Sequence, residues 1–240
     1  MGRTLWKDKL MPERHQVIQA YLDLFQEPSY LEIGVNMGTT FHAVGASKKV
    51  AVDPKFVFAP KERKIDADYY EITSDEYFRS LQRDAPLFDV IFLDGLHTFE
   101  QTLRDLMNAI DYLRRDGVIV IDDVLPSSYH ASLRSIPEFE AVCNYVARGR
   151  EASWMGDVFR LVYFIQSFLP SFDYASVEDN HGQLVMWRGK RALSQLRDRD
   201  VRDLVNLEFK DVILDRAAYN FCPHDDIVQR VRTAILDRAK

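Results

Sequence analysis

The stretch Leu31–His42, which reads LEIGVNMGTTFH, decides the fold of this 240-residue chain. Its apolar start predicts a strand, Gly34 follows that strand, and Gly38 comes just before a predicted helix. Glycines at such a turn let the backbone bend tightly and approach a ligand without a Cβ in the way. The helix N-terminus beyond them offers unpaired N–H groups to a polar ligand. The stretch therefore predicts a ligand-binding turn, with an ordinary strand-to-helix connection as the alternative.

The composition is that of an α/β domain with a substantial core. Hydrophobic residues make up 47% of the chain, and its formal net charge is −6. The acidic balance argues against broad nucleic-acid binding, which needs a positive surface. No apolar run approaches the roughly 20 residues of a membrane span, and the first residues lack the apolar core of a signal peptide. With only Cys143 and Cys222 present, we expect a cytoplasmic protein that has no disulfide framework and binds neither nucleic acid nor membrane.

Strand and helix patterns alternate along the first two-thirds of the chain. Asp89–Leu93 and Val118–Ile121 are continuous apolar runs, typical of strands buried on both faces of a parallel sheet. Between them, Thr98–Arg115 has apolar residues at helical spacing, and Gly117 is predicted to end that helix. A further helix is predicted at Pro12–Phe25. The remaining predicted strands are Tyr30–Ile33, Lys49–Val52, Tyr69–Ile72 and an antiparallel pair, Tyr174–Val177 with Leu184–Trp187.

These elements predict an α/β fold with a doubly wound, mostly parallel, seven-stranded Rossmann-like sheet that ends in an antiparallel edge hairpin. We divide the chain into a main domain, 1–189, and a helical C-terminal appendage, 190–240, that covers the core or mediates self-association. The Arg- and Asp-rich run 191–203 predicts a solvated helix face within the appendage.

Polar residues follow the ends of the first three predicted strands, where an open parallel sheet binds its ligands. Asp53 follows the second strand, and a carboxylate there can accept hydrogen bonds from both ribose hydroxyls of a nucleoside. Thr73 and Ser74 follow the third strand and suit an adenine edge, although either one can equally be a helix N-cap.

Three carboxylates follow the fourth and fifth predicted strands: Asp94, Asp122 and Asp123. Carboxylates crowded together repel one another unless a cation neutralises them. Hard oxygen ligands without cysteine favour magnesium, with manganese or calcium as alternatives. The sequence thus predicts a metal site. The alternative is that Asp94 contacts only an organic cofactor while Asp122 and Asp123 cap the following segment.

Two longer motifs, DGLHTFEQTLRDL (Asp94–Leu106) and GVIVIDDVLP (Gly117–Pro126), carry a family resemblance together with the glycine turn. The chain resembles class I S-adenosylmethionine (SAM)-dependent methyltransferases and is similar to the Methyltransf_24 and TylF-like O-methyltransferases of small molecules. The resemblance implies that the main domain binds SAM through Glu32, Gly34, Asn36, Gly38, Thr39, Asp53, Thr73, Ser74 and Asp94. Asn36 stands where the family's turn has its middle glycine.

The same resemblance implies a mechanism. Metal-dependent relatives place one ligand after the fourth strand and an acidic pair after the fifth, where Asp94, Asp122 and Asp123 stand. In those relatives, a lysine that deprotonates the acceptor hydroxyl lies three residues beyond the first ligand. In this chain that position is His97. Histidine titrates near neutrality and suits a general base. The expected reaction is O-methylation of a sugar or natural-product hydroxyl with magnesium bound.

The segment Trp154–Arg160 also resembles a recurrent stretch of these relatives. The resemblance implies that Trp154 and Phe159 wall the acceptor pocket and that Asp157 or Arg160 holds its polar groups. The alternative is a helix start with Asp157 near its positive end.

Two other functions remain open at this point. An NAD-dependent oxidoreductase can use the same early strand–helix–strand unit, but the turn lacks GxGxxG spacing and clustered carboxylates suit hydride transfer poorly. A non-catalytic SAM- or nucleotide-binding module would leave His97 and the carboxylates without a role.

Overall fold

The computed structural model describes residues 11–62, 66–82, 84–146, 153–178, 180–192 and 195–238. Eight strands form one sheet in these ranges: β1 (Ser29–Ile33), β2 (Lys48–Val52), β3 (Ala67–Tyr70), β4 (Phe88–Leu93), β5 (Leu113–Ile121), β6 (Phe172–Val177), β7 (Leu184–Arg188) and β8 (Phe221–Cys222). The α-helices of the same ranges are α1 (Arg14–Leu22), α2 (Thr39–Ala43), α3 (Ser74–Ser80), α4 (Phe99–Tyr112), α5 (Ile136–Val146), α6 (Arg160–Phe168), α7 (Val201–Val205), α8 (Phe209–Leu214) and α9 (His224–Arg238). None of these described helices is long and apolar enough to cross a membrane.

The sheet confirms the predicted architecture and adds one strand to it. Its order is β3-β2-β1-β4-β5-β7-β6-β8, with β7 antiparallel to both β5 and β6 and the other pairs parallel. The predicted hairpin is therefore present, but the predicted number of seven strands is wrong. The extra strand, β8, pairs with Ser176–Val177, and its two residues are too few to show any strand periodicity in the sequence.

The central strands follow from their apolar runs. Every residue of β1 and β4 is buried, because helices cover both faces of the sheet. One buried cluster includes Leu31, Ile91 and Ile119, and the other includes Tyr30, Val90 and Val118. Neighbouring residues of one strand point to opposite faces, so these two clusters are the cores on the two sides of the sheet.

Several element boundaries differ from the prediction, most clearly those of α4, β5 and β3. Helix α4 ends at Tyr112, and Gly117 lies inside β5 instead of ending the helix. The pairing of β5 with β4 shifts register between Phe88 and Val90. A Cβ on Gly117 would lie 3.0 Å from the carbonyl oxygen of Asp89, so this glycine allows a close strand approach at an irregularity. Strand β3 begins and ends two residues before the predicted Tyr69–Ile72.

The C-terminal segment packs on both faces of the sheet. Leu204, Val212 and Tyr219 join one core cluster, while Ile227 and Val231 join the other. The prediction of a solvated helix face at 191–203 is wrong for Arg191, which is buried and donates to the carbonyls of Ile165, Gln166, Leu169 and Phe172. The domain boundary after Gly189 and self-association through 190–240 stay predictions.

Candidate active site

The glycine turn after β1 is held in conformations that L side chains rarely adopt. Gly34, Asn36 and Gly38 have φ angles of +87°, +48° and +75°. A Cβ on Gly34 would lie 1.9 Å from the carbonyl oxygen of Asp94, so only glycine lets the end of β1 lie against the end of β4. Asparagine tolerates the left-handed region better than most residues, which explains how Asn36 replaces the expected glycine.

Asp53 joins the turn to the end of β2. Its two carboxylate oxygens accept hydrogen bonds from the backbone N–H of Asn36 at 2.8 Å and of Lys55 at 2.7 Å. The side chain is therefore fixed at the wall of a cavity of about 710 Å³, a volume suited to a small-molecule ligand. This smaller cavity is lined by residues that follow β1, β2, β3 and β4. Among them are Gly34, Asn36, Asp53, Thr73, Ser74, Asp94, Leu96, His97 and Gln101.

Six of the nine residues predicted to bind the cofactor thus line the smaller cavity, and three do not. Thr39 lines a different cavity, and Glu32 and Gly38 line neither. Glu32 is buried and accepts a hydrogen bond from the Tyr30 hydroxyl at 2.5 Å. Burial raises the pKa of the Glu32 carboxyl to about 8, although the Tyr30 hydrogen bond opposes the shift.

The two polar residues after β3 have different roles. Thr73 is the N-cap of α3, and its side chain accepts a hydrogen bond from the N–H of Glu76 at 3.2 Å. Ser74 accepts a hydrogen bond from Gln101 Nε2 at 3.1 Å, which joins the start of α3 to α4. The capping alternative therefore holds for Thr73, and both residues still face the smaller cavity.

A larger cavity, of about 1100 Å³, lies next to the smaller one and shares Arg14 with it. Its wall combines the start of α1, the loop after β5, the loop before β7 and α8. The residues of this wall include Met11, His15, Asp123, Leu125, Met155, His181, Phe209, Val212, Ile213 and Arg216. The C-terminal segment 190–240 therefore supplies part of the candidate site.

Asp94, His97 and Asp123 lie across the boundary between the two cavities. His97 Nε2 is 3.4 Å from Asp94 Oδ1, and His97 Nδ1 is 2.8 Å from Asp123 Oδ2. Potential ligand atoms of the three side chains lie within 4.8 Å of one another. Asp123 adopts a φ of +59°, a strained conformation for a non-glycine residue that is common at functional sites.

The hydrogen bonds of His97 fix its tautomer. Its Nδ1 also lies 3.1 Å from the carbonyl oxygen of Trp154. Because a carbonyl and a carboxylate can only accept, Nδ1 carries a hydrogen, and Nε2 is the nitrogen that gains or loses a proton beside Asp94. Burial lowers the pKa of His97, but hydrogen bonds to Asp123 and Asp94 outweigh burial and raise it to about 11.

Asp122 points away from this cluster and does not complete the predicted carboxylate trio. Its fully buried side chain lies 2.5 Å from Arg14 Nε and 3.6 Å from His181 Nε2. Both residues lie beyond the end of β5, and the left-handed φ of +59° at Asp123 directs its side chain away from that of Asp122. Among the described residues, His97 stands with Asp94 and Asp123 where the sequence placed Asp122.

The three aspartates nevertheless influence one another. Burial, followed by the charge of Asp122, raises the pKa of Asp94 to about 7. Burial also raises the pKa of Asp122. These shifts reflect mainly the lost hydration of buried carboxylates, with their mutual repulsion second.

In the Trp154–Arg160 segment, Met155 lines the larger cavity, but Trp154 and Phe159, the predicted wall residues, line neither cavity. The Trp154 ring stacks on the His97 ring, with centroids 5.2 Å apart. Asp157 caps α4 by accepting the Phe99 N–H at 2.7 Å, and a Cβ on Gly156 would lie 1.6 Å from the carbonyl oxygen of His97. Phe159 is buried in the core.

Sequence reasoning missed Arg14 and His181, which contact the carboxylate cluster from outside the strand-end motifs. Arg14 begins α1 and His181 lies in the loop before β7. No local motif marks either residue. Only the docking of α1 and of that loop beside β5 brings them to Asp122.

Comparison with known proteins agrees with this geometry. Residues 31–124 match the family Methyltransf_24, described as a methyltransferase domain. No curated protein sequence matches the chain. Together with the sheet, the match indicates a Rossmann-like methyltransferase fold. The matched residues include the glycine turn and the Asp94 and Asp122–Asp123 motifs that carry the sequence resemblance.

One solved structure of low sequence identity shares the fold, and two others are similar with lower TM-scores. A Staphylococcus aureus protein proposed to be a caffeoyl-CoA O-methyltransferase is 14% identical, with a TM-score of 0.50, and the similarity covers 75% of this chain and 86% of that one. A Klebsiella pneumoniae protein proposed to be an O-methyltransferase is 17% identical, with a TM-score of 0.49 and coverages of 75% and 84%. The O-methyltransferase of Bacillus cereus, solved with SAH, is 13% identical, with a TM-score of 0.46 and coverages of 72% and 76%.

Proposed function

We propose that this methyltransferase transfers a methyl group from SAM to a hydroxyl oxygen of a small molecule, such as a sugar or a natural product. The observation that carries the proposal is the adjacency of the two cavities. The smaller one is lined by the glycine turn and Asp53, the larger one is lined in part by apolar side chains, and Asp94, His97 and Asp123 lie between them. A methyl donor and an acceptor bound on the two sides would be held in line for transfer.

The smaller cavity suits SAM in its chemistry. Asp53 is the carboxylate after the second strand, the position that binds a nucleoside ribose in sheets of this type. Thr73 and Ser74 would face the adenine, and the turn at Gly34 and Asn36 would lie against the methionine portion. Gly38, Thr39 and Glu32 would then act through the shape of the turn and of α2.

The carboxylates of Asp94 and Asp123 fit a divalent cation, with the His97 imidazole beside them. The two carboxylates would hold magnesium or manganese, while Nε2 of His97 stays available for a proton. A cation bound there would neutralise the carboxylates and lower the pKa of an acceptor hydroxyl. Asp122, the third predicted ligand, would support the site through Arg14 and His181 unless it changes its orientation.

His97 is the general base of the proposal. Asp123 and the Trp154 carbonyl hold Nδ1–H, so Nε2 faces Asp94 at the boundary between the cavities. A cation on the two carboxylates would oppose the attraction that raises the pKa of His97, and the neutral Nε2 could then accept the proton of an acceptor hydroxyl as the oxygen attacks the methyl group. Trp154 keeps the imidazole plane fixed by stacking.

Calorimetric titration with SAM and with NAD tests the cofactor assignment. We expect binding of SAM and none of NAD; binding of NAD alone would support the oxidoreductase. Formation of S-adenosylhomocysteine is then measured with catechols, sugars and hydroxylated natural products, with and without manganese. Tight SAM binding without turnover of any hydroxylated compound would favour the non-catalytic module.

A further inference from the structure

The positively charged side chain of Arg14 lies among the three carboxylates of the site, those of Asp94, Asp122 and Asp123. Its Nε lies 2.5 Å from Asp122 Oδ2 and donates to His181 Nε2 at 2.7 Å. Its Nη1 is 3.9 Å from Asp94 Oδ2, and its Nη2 is 3.8 Å from Asp123 Oδ1. One guanidinium therefore faces all three carboxylates and lines both cavities.

We propose that Arg14 competes with the divalent cation for this cluster and must move away from Asp94 and Asp123 when the cation binds. The inference rests on the metal site of the proposed function. It adds that Arg14, the first residue of α1, sets the affinity for the cation. It also adds that the boundary between the two cavities changes when the cation binds.

The distances divide the contacts of Arg14 into a firm and a loose set. The contact with Asp122 is within hydrogen-bond distance, whereas those with Asp94 and Asp123 are longer than hydrogen bonds. The two carboxylates that share the cluster with His97 are thus attracted by Arg14 but not held by it. A cation can coordinate the oxygen atoms of these two carboxylates once the Arg14 side chain moves away.

Arg14 is also placed to move. It is the first residue of α1, and its side chain is 38% exposed, while Asp122 is fully buried. The long side chain can change rotamer without breaking the helix, but the movement weakens its contacts with Asp122 and His181. A guanidinium that stayed about 4 Å from a bound cation would weaken cation binding roughly ten- to a hundredfold through like-charge repulsion.

Manganese affinity tests the proposal without any acceptor. The dissociation constant of Mn²⁺ is measured by calorimetry and by electron paramagnetic resonance in the wild type, Arg14→Gln and Arg14→Lys. We expect Arg14→Gln to bind Mn²⁺ roughly ten- to a hundredfold more tightly, and Arg14→Lys to stay close to the wild type, because lysine keeps the charge.

Arg230→Gln is the matched control, because it removes one positive charge from the Arg230–Asp173 pair and leaves the cluster intact. We expect its Mn²⁺ affinity to equal that of the wild type. Unchanged or weaker binding by Arg14→Gln would overturn the proposal, as would an absence of Mn²⁺ binding in both wild type and Arg14→Gln. A titration of the same samples with SAM tests the proposed function separately.

Amide hydrogen exchange in the wild type provides a second test that needs no variant. Mn²⁺ saturation should speed exchange over Arg14–Leu22, because the side-chain contacts that hold the start of α1 to Asp122 and His181 are strained or lost. Exchange that Mn²⁺ leaves unchanged over this helix would contradict the displacement of Arg14.

Discussion

Replacing Gly34 with alanine should disable the turn that forms the smaller cavity. The added Cβ would lie 1.9 Å from the carbonyl oxygen of Asp94 at a φ of +87°. The left-handed backbone costs an L residue about 1–2 kcal/mol, and an overlap that forces the backbone to shift costs about 1–3 kcal/mol. We therefore expect Gly34→Ala to lower the free energy of unfolding by roughly 2–5 kcal/mol.

Urea unfolding gives the stability, and calorimetric titration gives the SAM affinity, which should fall because the turn shifts. Gly45→Ala is the matched control: it adds the same methyl group, and its nearest neighbour is Gln19 Oε1 at 3.8 Å, an ordinary contact. Gly45→Ala should therefore match the wild type in both assays. A free energy of unfolding for Gly34→Ala within about 0.5 kcal/mol of the wild type, the usual range of harmless surface changes, would contradict the predicted clash, as would an unchanged SAM affinity.

Three further predictions concern the cofactor, the buried carboxyl and the base. Asp53→Ala should weaken SAM binding by about 1–3 kcal/mol, as for loss of hydrogen bonds to a charged group; calorimetry checks it, and unchanged affinity contradicts the ribose assignment. Since the folded pKa of Glu32 is raised to about 8, its effect destabilises the fold as pH rises from the unfolded pKa to that value. Glu32→Gln should therefore stabilise the protein near pH 7 by up to about 3 kcal/mol. The free energy of unfolding, measured with urea at several pH values, should depend less on pH in this variant; an unchanged pH profile would count against the prediction. His97→Ala should lower kcat roughly 10²–10⁴-fold with SAM and Mn²⁺ affinities retained, whereas a lost Mn²⁺ affinity would make His97 a ligand.

The sequence was most informative where local pattern and topology coincide. Continuous apolar runs predicted β4 and β5, and the parallel arrangement placed their C-terminal ends together, which brought Asp94 and Asp123 within reach of one cation. The spacing of His97 after Asp94 kept it at the same strand end. These parts depend on residues close in sequence to a buried strand.

The remaining parts of the site depend on packing that no local pattern encodes. Arg14 and His181 meet Asp122 only because α1 and the loop before β7 dock beside β5. The separation of Asp122 from Asp123 depends on the φ of +59° at Asp123, which strand periodicity does not predict. Strand β8 is set by its partner β6, because two residues cannot specify a strand alone.

A crystal structure grown with S-adenosylhomocysteine and Mn²⁺ would locate the cofactor and the cation together. We predict the ribose hydroxyls at Asp53, the sulfur at the boundary marked by Asp94, His97 and Asp123, and an anomalous manganese peak beside the carboxylates of Asp94 and Asp123. S-adenosylhomocysteine bound outside the smaller cavity, or with its sulfur turned away from the larger one, would contradict methyl transfer at this site.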